Sequence, residues 1–191
     1  PTTAVGALDA ASTYSGNTSD YVVVDSEQTF EDFTVTDIDV PYRMDGMHHV
    51  SGGIAAVSAG VTMEFAQDSG IHVTSDAAAL SATGQIGDEI TMTGVEKTSG
   101  FWKGVLIDSE NPANLLNRIV IEYGGSEKWT SMNETAALGI GSTARLTLTG
   151  CTISHSGGWG GWAEDIDDAT INASGNTYSS NAFGSNNYGD S

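Results

Sequence analysis

Positive charge is scarce in this chain. Its 191 residues hold 6 Lys and Arg against 25 Asp and Glu, a formal net charge of −19. Nucleic-acid backbones are bound by cationic side chains, so this balance argues against DNA or RNA as a partner. It disfavours an anionic membrane surface for the same reason. Cysteine is almost absent. Cys151 stands alone, no intrachain disulfide can form, and the disulfide-stapled secreted class is excluded although secretion is not. Proline is limited to 3 residues beside 24 Gly, which excludes collagen and Pro-rich linkers. No stretch approaches the roughly 18 apolar residues of a spanning helix, and no signal peptide is visible. The chain opens on Pro1 without an initiator Met, as a mature or excised piece of a longer protein would. Strong acidity suits a salty or extracellular setting, where self-repulsion is screened.

Apolar residues reach 39%, enough for one domain with one sizeable core rather than a disordered chain. Residues 1–20 are small and polar and read as an N-terminal arm or cap, and 21–191 read as a single domain. From Phe33 to Val40 the pattern F-T-V-T-D-I-D-V alternates, the signature of a half-buried strand. Residues 41–53 (PYRMDGMHHVSGG) read as a break. Short β-branched or alternating runs follow at 60–65, 70–74, 89–93, 102–107, 118–123, 138–140, 145–149, 152–155 and 169–173, punctuated by Gly, Ser, Asn or Asp. Helical spacing is confined to 114–117, which is too short to matter. The expectation is all-β.

These runs repeat. Met63, Met92, Ile121, Ile153 and Tyr178 each sit mid-strand, at steps of 29, 29, 32 and 25 residues. A second series runs through Gly70, Gly104, Gly139, Gly161 and Gly184, and a further apolar strand usually lies between members of the first. Three short strands per period is the pattern of a β-solenoid, because one coil cannot bury its own inward side chains and must stack on the next. At roughly 29 residues per period the chain makes about six coils. The competing arrangement, an antiparallel sandwich, needs hairpin signals. Only Asp45-Gly46 supplies one.

Residues 101–126 read FWKGVLIDSENPANLLNRIVIEYGGS. This segment resembles a coil of the right-handed parallel β-helix proteins of the pectate-lyase-like superfamily, through Trp102, Lys103, Gly104 and Val105, then Leu116, Val120, Ile121, Glu122, Tyr123, Gly124 and Gly125. Residues 57–70 and 172–184 are similar to other coils of that superfamily, so the likeness spans 57–184. It implies a right-handed parallel β-helix and an exported or surface-exposed bacterial protein acting on or near carbohydrate. Lyase members carry acidic calcium ligands and a basic residue on one face. The arginines here are Arg43, Arg118 and Arg145, outside any such motif.

Several side chains are candidates for chemistry. Glu164, Asp165, Asp167 and Asp168 crowd into five residues and could ligate calcium, which takes six to eight oxygens. They could equally form a solvated acidic loop. Asp37 and Asp39 share a strand face about 7 Å apart, within the range of inverting glycosidase carboxylates, although two acids on one exposed strand are common and read first as a solvent face. Glu122 is expected to point outward, near Glu64 one coil below and Ser154 one coil above, where a carboxylate row could bind sugar hydroxyls or equally keep the face soluble. The four histidines (His48, His49, His72, His155) and Cys151 do not have zinc-ligand spacing. Alternation should separate neighbours such as Ser154 and His155. Trp129 is expected on a protruding loop, and Trp159 and Trp162 lie in the Gly-rich run GGWGGW. Flat aromatic faces beside Asp, Asn or Glu suit pyranose rings. The plain alternative for that run is a cap on the end of the core. The expected function is a non-catalytic module that binds glycans or mediates adhesion. A calcium-assisted polysaccharide lyase or glycoside hydrolase is the alternative, and a purely structural spacer is a third reading.

Overall fold

The computed structural model describes residues 5–190, and its strands are numbered β1–β20 in chain order. They fall into three sheets. The first contains β1 (Val22–Val24), β4 (Tyr42–Met44), β7 (Thr62–Phe65), β10 (Ile90–Gly94), β13 (Ile119–Glu122), β16 (Thr152–Ser154) and β19 (Thr177–Ser179). The second contains β2 (Glu27–Thr29), β5 (Met47–Val50), β8 (Gly70–Val73), β11 (Gly104–Ile107), β14 (Ala136–Ile140), β17 (Trp159–Ala163) and β20 (Gly184–Asn186). The third contains β3 (Phe33–Val35), β6 (Gly53–Val57), β9 (Ala78–Thr83), β12 (Leu115–Asn117), β15 (Arg145–Thr149) and β18 (Thr170–Ser174). Each strand pairs in parallel with the strand three places on, as in β4–β7 and β7–β10. This is a right-handed parallel β-helix, and the antiparallel sandwich is excluded.

The first sheet carries the repeat read from the sequence. Val22, Tyr42, Met63, Met92, Ile121, Ile153 and Tyr178 are in direct register, so seven strands define six turns. Met63, Met92, Ile121 and Ile153 are all buried. Parallel columns of Val35, Val57, Ala82, Leu116 and Leu148 on the third sheet and Val50, Val73, Ile107, Ile140 and Ala163 on the second close the core. Each large apolar side chain in such a column contributes about 1.5–3 kcal/mol by leaving water. Alternation along each strand puts the intervening residues outside, which is why the core needs no helix to cover it.

Several sequence expectations change. The predicted break at 41–53 contains β4 and β5 with a tight turn at Asp45-Gly46, and Tyr42 and Met44 are core residues. The alternation from Phe33 ends as a strand at Val35. Residues 114–117, the one helical candidate, supply β12. The GGWGGW run is not a loop: Trp159 and Trp162 lie on β17. In the second glycine series Gly70 does face Gly104, but Gly139 faces Leu106 and Gly161 faces Leu138, so that series mixes registers.

Both ends of the core are in contact with flanking chain. Val5 is buried in the core cluster with Leu8 against it, and Asp39 accepts the amides of Tyr14 (2.8 Å) and Ser15 (3.1 Å). At the other end Tyr188 packs on the core, and its hydroxyl meets that of Tyr178 at 2.9 Å. The last turn of the helix hooks onto the one below through asparagines. Asn176 Oδ1 accepts Cys151 N (2.8 Å), Asn181 Oδ1 accepts Ser156 N (3.0 Å) and Asn187 Oδ1 accepts Ala163 N (2.7 Å).

Candidate functional site

The outer face of the second sheet brings most of the aromatic candidates together. One outward column runs Gln28, His49, His72, Leu106, Gly139, Trp162, each residue opposite the next on the neighbouring strand. Across it lies the segment 126–135, which joins β13 to β14. Trp129 and Met132 from this segment bury Leu106 and leave Trp129 only 4% exposed. The loop expected to protrude is therefore a strap folded flat on the sheet. Its seat is bare backbone: a Cβ at Gly70 would come within 3.1 Å of the Trp129 ring, and one at Gly139 within 3.4 Å of Met132.

Polar contacts tie the strap down at both ends. Lys103 Nζ donates to Glu127 at 2.6 Å and sits 5.0 Å from the centre of the Trp129 ring. Glu164 accepts the Asn133 backbone N–H (2.7 Å) and its side-chain amide. Beneath the strap the His72 ring lies 5.4 Å from Trp129 and 5.6 Å from His49, and its Nε2 is 3.8 Å from Asp108 Oδ2. Burial, followed by the charge of His72, lowers the pKa of His49. Beyond the strap Trp159 and Trp162 form a half-exposed pair, with ring centres 5.3 Å apart and tilted by 44°. Trp159 reaches over Gly184 of the next strand.

The four acids proposed for calcium go to different tasks. Glu164 holds the strap, Asp165 Oδ1 accepts the amide of Asp167 (3.0 Å), and Asp167 and Asp168 are exposed. Among the described residues no group of three or more His, Cys, Asp or Glu is arranged to hold a metal ion. Asp37 and Asp39 do not act as a pair either. Asp39 binds residues 14 and 15, and the Ser15 hydroxyl is the first cause that lowers its pKa. Asp37 is raised, first by burial and then by Asp88.

Glu122 does point outward, but its neighbour one coil below is Thr93, and Glu64 lies two coils away, paired to Arg43 at 3.2 Å. Ser154 above it donates toward Glu122 at 3.3 Å. His155 Nδ1 is 3.1 Å from Ser154 Oγ, although adjacent strand residues should diverge. The reason is backbone geometry: His155 has φ 55° and Tyr123 φ 63°, so both leave the pleat and stack 5.0 Å apart at the corner between sheets. The positive φ needed there has no signature in a Tyr or His.

Cys151 is a buried core thiol whose pKa is raised by burial. His48 faces the core, opposite Ile71. Among the described residues no helix is long and apolar enough to cross a membrane. The fold and its outer faces define the chain as a parallel β-helix protein. No family model matches it, and neither a curated protein nor a solved structure does.

Proposed function

We propose that this chain is a glycan-binding or adhesive module of an exported or cell-surface bacterial protein of the pectate-lyase-like β-helix type. The observation that carries the reading is the half-exposed Trp159–Trp162 pair on β17, with Glu164 and Asn133 close by. Two tilted aromatic faces on a rigid strand offer apolar area to pyranose rings. The likeness of residues 101–126 to coils of that superfamily supports the same context.

A glycan screen on wild type and Trp162→Ala, with and without calcium, tests the proposal. The expected result is retention of a restricted set of glycans and at least about a tenfold loss of affinity in the variant, the size expected of an aromatic anchor. Retention of no glycan in either condition would remove the reading. Release of new chain ends from a retained glycan would favour the lyase or hydrolase alternative. The Glu122–Ser154–His155 line would then be the first place to mutate.

A further inference from the structure

We infer that the strap 126–135 is a lid, and that the face it covers, with Trp162 at its edge, takes a neutral oligosaccharide through the indole N–H groups of Trp129 and Trp162 and through His72 Nε2. The inference rests on the glycan reading above and narrows it to one ligand class and one place.

In the closed state the strap leaves polar atoms stranded. Among the described residues seven buried side-chain polar atoms find no hydrogen-bond partner within the chain. Four of these belong to the strap or to the face it crosses: Ser126 Oγ, Trp129 Nε1, His72 Nε2 and Trp162 Nε1. Buried donors are normally satisfied, and each one left over is a cost that a ligand acceptor can relieve. Trp129 is the sharpest case, since a 4% exposed indole has its one donor unused.

The floor suits a flat ring. Gly70 and Gly139 have no positive φ, so the backbone does not require glycine there. What glycine supplies is clearance: a Cβ at Gly70 would meet Gly104 O at 2.8 Å and then the Trp129 ring, and one at Gly139 would meet Leu106 at 3.0 Å and then Met132. With the strap lifted, a pyranose ring would lie on Leu106 and the bare backbone beside it. The strap is held by two polar ties and by the burial of Trp129 and Met132, and one of the ties is weak. Its Lys103–Glu127 bridge has Glu127 61% exposed, and exposed ion pairs hold weakly. Opening exposes Trp129, Met132 and Leu106, a small apolar cluster separate from the main core.

The chemistry of the rim selects the ligand. Asp108, Glu127, Glu134 and Glu164 lie beside this face or ride on the strap against Lys103 and Lys128, and Lys103 is already paired to Glu127, so a uronic acid meets net like charge. Neutral sugars offer oxygens to the indole and imidazole N–H groups and hydroxyls to the carboxylates. A hydroxyl between Asp108 Oδ2 and His72 Nε2, now 3.8 Å apart, can donate to one and accept from the other.

The test is calorimetric titration of wild type and Trp129→Phe with cellohexaose, mannohexaose and hexagalacturonate. Amide exchange across 126–135 is measured with and without saturating ligand. Trp129→Phe keeps a ring but removes the donor, and a melting curve checks that it folds. If it does not fold, amide exchange on wild type decides alone. The expected result is binding of a neutral hexasaccharide, weakened about tenfold in Trp129→Phe, and faster exchange across the strap when ligand is bound. Neutral-glycan binding with unchanged strap exchange and unchanged affinity in Trp129→Phe overturns the lid while the Trp159–Trp162 reading survives. Preference for hexagalacturonate overturns the ligand class. Binding of no glycan by wild type overturns both readings.

Discussion

His48 illustrates how one residue can be placed against its chemistry. It occupies an inward column between Glu27 and Ile71, where the next rungs, Val105, Leu138 and Gly161, are apolar or glycine. Burial pushes its pKa down to about 4, against smaller opposing effects from Glu27 and Asp45. The unfolded chain takes up this proton near pH 6.5, and the folded chain holds out until about pH 4. Unfolding therefore binds a proton across that window, and stability falls as pH drops through it, by about 3 kcal/mol in all. His48→Leu should remove this loss. Urea midpoints of wild type and variant, compared at pH 7 and pH 5, should converge for the variant and separate for wild type. No pattern in MHHV announces which of the two adjacent histidines faces in. That is settled by the parity of β5, which depends on where the chain enters the strand.

At the level of the strand, the sequence is legible where alternation and β-branching coincide. The runs 89–93, 118–123, 145–149 and 152–155 mark β10, β13, β15 and β16 to within one residue at each end, because Thr, Ile, Val and Leu mark both faces. The strands that were missed have their reasons. β9 (AALSAT) is mostly alanine, which carries little strand preference. β17 is glycine-rich because its backbone lies against neighbours: a Cβ at Gly161 would overlap the Tyr188 hydroxyl, and one at Gly160 would meet Ser185 O at 2.6 Å. Such clearance is set by residues more than twenty positions away, so glycine reads as a turn when it marks close approach. The sequence hides the seat of Trp129 for a related reason. Its local context EKWTSMNE is polar, and its apolar partner Leu106 lies on another coil.

The asparagine hooks are element-scale features with a measurable role. Asn176 is 7% exposed, accepts Cys151 N and donates to Leu148 O at 3.0 Å. Asn176→Ala leaves a buried N–H and a buried carbonyl unpartnered and should cost about 1–3 kcal/mol. A lowered melting temperature, together with faster exchange of the Cys151 amide, would verify this. Unchanged exchange at Cys151 would mean that the hook carries no load.

For the molecule as a whole, the dominant long-range term is self-repulsion from a net charge of −19. The screening length falls from about 30 Å at 0.01 M salt to about 3 Å at 1 M. The melting temperature should therefore rise steadily with NaCl, measured by circular dichroism at pH 7. A flat response would mean that the acids are already separated enough to ignore one another. The same charge makes surfaces of like sign poor partners, in keeping with a neutral ligand.

The hydrogen bonds between successive turns run along the helix axis, and each turn is bonded only to its two neighbours. A tether pulling on the two termini would therefore peel this chain from an end, one turn at a time. The turns differ in size. Tyr42 to Met63 spans 21 residues, whereas Ile121 to Ile153 spans 32. At about 3.4 Å per extended residue the released contour should come in steps of roughly 70 to 110 Å. A force–extension trace with unequal teeth of that size would mark the chain as a graded shock absorber rather than a single brittle link.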